Sequence, residues 1–367
     1  MWIWQHTDWP KFFWDREACM SRLLEATAAL STLLGKMQAM SLPHRAEAEA
    51  EVLMQNSMDT SKIEGELLNR DSVRSSVFRH LGLETGLHIP IDRATDGLVQ
   101  VLIDARQNLD HPLTHEQLFS WHAALFPSGY SGIHKIVTGA YRDQKVEVIS
   151  GHYDKIKVHY EAPPAQVLPS EMSDFLQWFN EDSQTLNGLI RAGLSHLYFE
   201  IIHPFDDGNG RLGRAILDRA LAQYEKQSER FYSVASTLEH QRKAYYHQLE
   251  AMSTSLSLDV TAYLSWFFTI LTCSAQESEF IIGKVFSKAL FWQTHVHTSF
   301  STHQRKVLNK MLDADPFIGG MTTKKYVSLT GVSRATAYRE LAELVQKTCL
   351  KRIKEGAGRN TAYEIAF

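Results

Sequence analysis

Twelve residues, HPFDDGNGRLGR (203–214), concentrate the side chains that could do chemistry. His203 is suited to proton transfer, because an imidazole changes charge near neutral pH. Asp207, at the predicted apex of the loop, could hold the magnesium that a bound polyphosphate carries. Asp206 beside it is expected to be exposed, and no role is assigned to it. The first half of the stretch therefore offers a base and a metal ligand.

The second half of the stretch has the residues of an anion cradle. Gly208 and Gly210 can adopt a positive φ and let backbone N–H groups approach a ligand, and Asn209 tolerates the same region. They precede an apolar-periodic segment, and the N-terminus of a helix there would favour an anion. Arg211 and Arg214 would share one face of that helix and suit a polyphosphate. A glycine-rich turn with a solvated salt bridge is the alternative, but the loop has more anion-handling groups than a turn requires.

The elements that position this stretch are predicted to be mostly helical, from the spacing of their apolar residues. The predicted helices cover residues 16–40, 43–61, 93–109, 114–126, 169–181, 186–202, 210–227, 237–252 and 259–289. One segment differs: between residues 132 and 164, β-branched residues alternate around Gly151, which predicts a hairpin. The fold class is therefore all-α with one small β-hairpin.

Composition and charge exclude several classes of protein. The chain has 367 residues, a formal net charge of -4 and 44% hydrophobic residues, as in an ordinary globular protein of two or three domains. No segment approaches the ~20 apolar residues of a membrane span, and the N-terminus does not resemble a signal peptide, so no membrane role is expected. Cys19, Cys273 and Cys349 have neither metal-ligand nor disulfide spacing, which suits a reducing cytosol and predicts a cytoplasmic protein.

The last segment has a different composition. From Ser299 onward, lysines and arginines number twelve and acids six, which gives this tail a formal charge of +6. A helix, a tight turn at Gly331, a second helix capped by Ser333 and a β-wing with Gly356 and Gly358 at its tip indicate a winged helix-turn-helix. We therefore predict three domains, at residues 1–92, 93–298 and 299–367. The tail would either bind DNA or dock a protein; for DNA, the residues expected at bases or phosphates are Arg334, Thr336 and Arg339.

HPFDDGNGRLGR resembles the signature HxFx(D/E)GNGRxxR of the Fic family at every defined position. The resemblance extends to GAYR and VEVIS of the hairpin, the APP segment, His196 and RKAYYHQLE (242–250). The aromatic N-terminal lobe and the winged-helix tail also resemble those attached to many bacterial Fic proteins, so the resemblance covers nearly the whole chain. It implies a mainly helical Fic fold whose hairpin is a flap. It also implies transfer of AMP from ATP to Ser, Thr or Tyr hydroxyls of proteins, including the chain itself, with release of pyrophosphate.

The resemblance also implies a role for each residue of the stretch. His203 would be the general base, Phe205 would steady the loop from inside, and Asp207 would bind Mg²⁺ on the α- and β-phosphates. Three residues would form the anion cradle, with Asn209 facing the α-phosphate: Gly208, Asn209 and Gly210. Arg211 would contact the β-phosphate and Arg214 the γ-phosphate.

Two further sets of residues follow from the same resemblance. Tyr245 and Tyr246 match positions that line the adenine side of the site, although ordinary helix packing is their alternative. The flap would hold the target protein by strand addition, with a tip formed by Ser150, Gly151, Lys157 and Val158. Many relatives dimerise, so a homodimer is a further expectation.

The segment TSKIEG (60–65) is open to two interpretations. As local structure, Thr60 caps a helix, Glu64 closes a turn and Gly65 is a C-cap. As a resemblance, it matches the family's inhibitory pattern (S/T)xxxE(G/N), in which Glu64 would pair with Arg214 and compete with phosphate. The chain would then be an autoinhibited transferase. The alternatives are a de-AMPylase that uses the same site, and a DNA-binding regulator whose Fic core senses nucleotide.

Overall fold

The computed structural model describes residues 1–83, 90–150, 157–313, 317, 319–353 and 361–366. The chain divides into two compact units, Met1–Glu279 and Phe280–Phe367. The first unit holds the first predicted domain and most of the second. The second unit begins ahead of the predicted boundary at residue 299.

The first unit is mainly helical, which confirms the predicted class. Its helices are α1 Arg16–Gln38, α2 Leu42–Ile63, α3 Arg70–His80, α4 Arg93–Asp104, α5 His115–Leu125, α6 Leu168–Asn180, α7 Gly188–Ile202, α8 Asn209–Glu225, α9 Val234–His240, α10 Arg242–Ser253 and the start of α11, Thr261–Thr294. No helix among the residues described is long and apolar enough to cross a membrane.

Helices α7 and α8 form the centre of the first unit. Thirteen of the 15 residues of α7 are buried, as expected for a helix that is apolar on all sides. Gly213 allows α8 to approach it, because a Cβ there would lie 2.5 Å from Glu200 Oε1. The stretch 203–214 comprises the loop that joins these two helices and the first turns of α8, so the candidate site rests on two deeply buried helices.

The sequence missed or misassigned three helical features. The predicted helix 237–252 is two helices, because Gln241 leaves helical geometry with φ -107° and ψ 27°. Helix α3 was not predicted, since its sequence RDSVRSSVFRH has few apolar residues; the signal is Asn69, whose side chain accepts hydrogen bonds from the next turn. Thr60 does not cap a helix: α2 begins after Ser41, and Thr60 lies in its last turn.

The predicted hairpin is present at its base. Strand β1 Tyr130–Ser131 pairs with β2 His134–Lys135, and β3 Glu147–Ser150 pairs antiparallel with β4 Lys157–Glu161. Buried Arg142 fixes the base of this hairpin to the loop, since its Nε donates to His203 O at 2.9 Å and its Nη2 to Pro163 O at 2.7 Å. Gly151 lies outside the described residues, and for Ser150 and Lys157 only the backbone is described.

After the end of α11, the described residues of the second unit form three helices and a three-stranded antiparallel sheet. The elements are α12 Thr302–Asp313, β5 Met321–Thr322, α13 Thr323–Thr330, α14 Arg334–Gln346, β6 Leu350–Arg352 and β7 Ala362–Ile365, with sheet order β5-β7-β6. Gly331 ends α13 at φ 74°, and the Ser333 side chain caps α14. These are the predicted helix, tight turn and second helix. Gly356 and Gly358 lie outside the described residues.

Candidate active site

The loop after α7 begins with an uncommon backbone conformation. His203 has φ 50° and ψ 59°, in the left-handed region that non-glycine residues seldom adopt. Pro204 prevents α7 from continuing, and Arg142 N donates to Pro204 O at 3.0 Å. The position of His203 is therefore held by the hairpin base as well as by its own helix.

The ring of His203 is neutral, with a lone pair on Nε2. Its Nδ1 lies 3.2 Å from Glu200 O, and since a carbonyl only accepts, Nδ1 carries the proton. Burial lowers the pKa of His203 to about 4; the hydrogen bond to Glu200 O opposes this and the charge of Arg142 reinforces it. A neutral imidazole at physiological pH can accept a proton, as a general base must.

Asn209 braces the loop from inside. Its Oδ1 accepts from Phe205 N at 2.9 Å and its Nδ2 donates to Phe205 O at 2.8 Å. Phe205 is fully buried, as the sequence predicted. Since both ends of the Asn209 amide hold Phe205, the group that Asn209 offers to an anion is its backbone N–H at the start of α8.

Gly208 and Gly210, the two glycines of the expected anion cradle, are required for different reasons. Gly208 has φ 81° and forms the N-cap of α8. Gly210 and Asn209 are helical, so the expectation of a positive φ at these two positions is wrong. A Cβ on Gly210 would lie 2.2 Å from Glu64 Oε1, so Gly210 provides space for the side chain that reaches into the cradle.

His122, which the sequence did not single out, holds the loop from the other side. Its Nε2 donates to Asp207 O at 3.1 Å, and its Nδ1 accepts from Gly139 N at 3.1 Å. The ring stacks on Phe205 with centroids 4.3 Å apart. Burial lowers the pKa of His122 to about 4, so it is neutral and supplies one donor and one acceptor. No motif signals this residue, because its partners are backbone groups distant in sequence.

The two acids of the loop have different partners. Asp206 is not merely exposed, since its Oδ2 accepts from Val137 N at 2.8 Å and ties the loop to the hairpin base. Asp207 accepts hydrogen bonds from Ser131 Oγ and Gly208 N, and its side chain is 40% exposed.

Asp207 could be only one of several ligands of a magnesium ion. Within the described part of the chain, no three His, Cys, Asp or Glu residues cluster as a metal site. Mg²⁺ in nucleotide sites is usually held by one or two carboxylates together with phosphate oxygens. A single half-exposed carboxylate beside an anion cradle has the chemistry for that arrangement.

Arg214 is buried and held by the end of α2. Its Nη2 donates to Glu64 Oε1 at 2.7 Å and to Thr60 O at 2.9 Å, and its Nε donates to Thr60 Oγ1 at 2.7 Å. Burial by itself would lower the pKa of Arg214, but the charge of Glu64 and other neighbours raises it above its usual value. The structure thus brings Thr60, Glu64 and Arg214 together in one contact.

Arg211 is held by a carboxylate that the sequence did not single out. Its Nη1 donates to Glu66 Oε2 at 2.8 Å, and its Nη2 lies 3.7 Å from Asp207 Oδ1. The guanidinium carbon lies 4.9 Å from the centre of the Phe126 ring. Arg211 and Arg214 therefore share one face of α8, as predicted, and each contacts a different carboxylate.

A cavity of about 1050 Å³ opens beside His203. Its walls come from the loop, the hairpin and α10, and include Glu64, Val148, Tyr160, Glu200, Gly210 and Tyr246. Tyr246 is 41% exposed and donates to Ile63 O at 2.9 Å. Tyr245 also contributes to the wall but is 1% exposed, with its hydroxyl 3.0 Å from His196 Nε2. Val158 lies on β4 but does not line this cavity.

Glu200 is a second carboxylate on the cavity wall that the sequence did not single out. Burial raises its pKa to about 8, against the opposing charge of Arg214, so the side chain is protonated at neutral pH. Its Oε1 is buried and has no hydrogen-bond partner among the residues described. The cavity wall therefore carries less negative charge than the presence of Glu200 in the sequence would suggest.

We predict that His122→Phe loosens the loop. The phenyl ring keeps the stack on Phe205 but leaves Asp207 O and Gly139 N without partners, at a cost of roughly 1–3 kcal/mol. Thermal unfolding of the first unit should shift down by about 3–8 °C. His134→Phe, at an exposed histidine on β2, is the matched control and should melt like the wild type. An unshifted melting curve for His122→Phe would show that these two hydrogen bonds do not hold the loop.

Comparison with known proteins places this site in a family. A model of the Fic/DOC family matches residues 112–221, and a domain of unknown function (DUF4172) matches residues 2–83. A probable protein adenylyltransferase of Aquifex aeolicus is 34% identical over 64 residues, or 17% of this chain and 20% of that protein. The protein adenylyltransferase Fic of Nematostella vectensis is 27% identical over 189 residues, or 49% of this chain and 40% of that protein. The chain thus spans less than half the length of these two relatives.

The fold agrees with the family match. The crystal structure of a Fic family protein from Desulfovibrio desulfuricans superposes with a TM-score of 0.52 at 19% identity, over 94% of this chain and 95% of that one. This likeness concerns the fold. Together with the signature loop between α7 and α8, it leads to one conclusion: the chain contains a Fic/DOC family domain at residues 112–221, preceded by a DUF4172 domain at residues 2–83.

Proposed function

We propose that the protein is an autoinhibited adenylyltransferase that transfers AMP from ATP to a Ser, Thr or Tyr hydroxyl of a protein. The observation that carries the proposal is the contact of Glu64, at the end of α2, with Arg214, the last residue of the Fic signature, at 2.7 Å. Two relatives that bear the name protein adenylyltransferase support the class of reaction. The chain itself is expected to be one of the targets.

The proposed reaction is a displacement at the α-phosphorus of ATP. The target hydroxyl gives its proton to Nε2 of His203, its oxygen forms a bond to the α-phosphorus, and the bond to the bridging oxygen of the β-phosphate breaks. Pyrophosphate leaves with that electron pair. The backbone N–H groups at the start of α8, together with Arg211, stabilise the charge that develops on the phosphate oxygens.

Magnesium belongs to this proposal as a companion of the nucleotide. Asp207 is the residue that would hold it, and the bound ion would offset the negative charge of the phosphates. Ser131 and Gly208 orient the Asp207 carboxylate through their hydrogen bonds. His122 fixes the same residue through its backbone carbonyl.

The inhibition follows from competition for one guanidinium. Arg214 is 3% exposed at its side chain, so it has room for one anionic partner, and Glu64 holds that place in the resting chain. A terminal phosphate would have to displace Glu64 before it could use the same donors. The remaining donor, Arg214 Nη1, is buried and has no partner among the described residues, so a phosphate would add a hydrogen bond there.

The flap supplies the proposed place for the target. Strands β3 and β4 form a two-stranded sheet, and Val148 and Tyr160 from these strands reach the cavity beside His203. An extended target segment that paired with this sheet would bring its hydroxyl close to the base.

We predict that Glu64→Gly raises AMP transfer at least tenfold, because Arg214 is freed for phosphate. His203→Ala in the Glu64→Gly background should lose about 10²–10⁴-fold, the usual contribution of a general base. The measurement is incubation with labelled ATP and a lysate, followed by mass spectrometry of the adducts, whose mass identifies the nucleotide. Labelling unchanged by Glu64→Gly would refute autoinhibition. Adducts that persist in His203→Ala would refute the assigned base, and loss of existing AMP adducts would favour the de-AMPylase alternative.

The pH dependence of transfer is a separate prediction. Protonation of His203 removes the base, and its pKa in the free chain is lowered to about 4, so kcat/KM for ATP with Mg²⁺ should stay level from pH 7 to about 5. Removal of Glu64 does not reverse this, because the charge of Glu64 raises the pKa of His203. The profile of Glu64→Gly tests it, with melting curves at each pH as the control. An acid limb near pH 6.5 would contradict an imidazole that is neutral at physiological pH.

A second candidate function concerns the second unit. Along the outer face of α14, Arg334, Tyr338 and Arg339 are exposed, which suits contact with DNA in a major groove. Thr336 is only half-buried, and its backbone N–H is bonded to the capping Ser333. We expect the full chain to shift a random duplex more weakly as salt rises from about 50 to 200 mM. Arg334→Ala with Arg339→Ala should abolish the shift, whereas Arg22→Ala with Lys36→Ala should not; equal shifts would exclude this face.

A further inference from the structure

Glu66 is the second carboxylate that reaches α8 from the end of α2. We propose that Glu66 is an additional inhibitory residue, which occupies Arg211 in the resting chain as Glu64 occupies Arg214. This inference rests on the proposed function, since it extends the inhibition of the same site. The segment Glu64-Gly65-Glu66 would then block both arginines of the signature loop at once.

The backbone at the end of α2 explains how two acids separated by one residue reach the same helix. Gly65 has φ 84°, a conformation that glycine adopts without strain. Its N–H donates to Lys62 O, and the N–H of Glu66 donates to Ser61 O, both at 3.0 Å. This pair of bonds is the Schellman motif, which reverses the chain directly after the helix. Glu64 and Glu66 therefore lie on either side of a fixed turn.

The contact of Glu66 with Arg211 is close and directed. Glu66 Oε2 lies 2.8 Å from Nη1 of Arg211, whereas Asp207 Oδ1 is 3.7 Å from Nη2. Arg211 is buried with a 5% exposed side chain, so its charge is partnered mainly by these two carboxylates. A guanidinium neutralised in this way has less attraction left for a phosphate.

The two inhibitory contacts differ in strength. Glu64 is 28% exposed, and its partner Arg214 also has two hydrogen bonds to Thr60. Glu66 is 46% exposed and lines an open cavity of about 350 Å³. Exposed ion pairs contribute little, about 0–1 kcal/mol, so Glu66 should yield to an anion more readily than Glu64. We therefore expect both carboxylates to weaken the binding of nucleotide, Glu64 more strongly than Glu66.

Binding of ATP with Mg²⁺, measured by calorimetry in the His203→Ala background, tests this without turnover. Glu66→Gln keeps the size of the side chain and removes its charge, and it should tighten binding about three- to fivefold. Glu64→Gly should tighten binding more, and the double variant most. Glu51→Gln is the control. Glu51 is paired with Arg70 and lies about 20 Å along α2 from Glu64, so its substitution should leave the affinity for ATP unchanged.

Substitutions at Arg211 separate a direct contact from a general effect of charge. If Glu66 acts through Arg211, Glu66→Gln has no further effect in an Arg211→Ala background. Equal tightening with and without Arg211 would overturn the proposal. So would unchanged affinity, within twofold, in Glu66→Gln while Glu64→Gly tightens binding; autoinhibition by Glu64 would then still stand. If Glu64→Gly also fails to tighten binding, the proposed autoinhibition itself is wrong.

Discussion

The buried positive charge of Arg214 is the constraint on which the site depends. A guanidinium that is 3% exposed must be paired, because an uncompensated buried charge costs several kcal/mol. In this chain the partner comes from α2, which delivers Glu64 and Thr60 to α8. The absence of a side chain at Gly210 follows from the same contact, since any Cβ there would meet Glu64. The proposed inhibition and the stability of the resting state thus depend on one interaction.

Around this charge, the interior of the site is kept neutral by burial. The pKa values of His122 and His203 are lowered to about 4, and the pKa of His196 to about 3, while that of Glu200 is raised to about 8. Burial is the largest cause of each shift. A neutral His203 can serve as a base, and a neutral Glu200 does not repel the phosphates that the proposed reaction requires. Arg211 and Arg214 keep their charge, and carboxylates lie beside both of them.

Much of this site could be predicted from the sequence, because the signature loop is continuous and its chemistry lies in residue types. The helix predicted from residue 210, which begins at Asn209, followed from spacing, whereas the burial of Phe205 and the approach of Glu64 to Arg214 followed from resemblance. His122 and Asp206 could not be predicted, since each bonds to backbone atoms of a segment distant in sequence. Glu66 could not be predicted either, because its sequence context is that of an ordinary surface acid after a glycine and its partner Arg211 is distant in sequence.

The sequence by itself determined the mostly helical class, the hairpin and the residues of the proposed anion cradle, because periodicity, turn residues and motif spacing are local properties. Only the tertiary structure decided why Gly210 is a glycine, which nitrogen of His203 is free, and that two carboxylates face two arginines. Those features depend on the packing of α2 and the hairpin base against the loop between α7 and α8. Distances between segments remote in sequence, and the burial that shifts each pKa, exist only once the chain has folded.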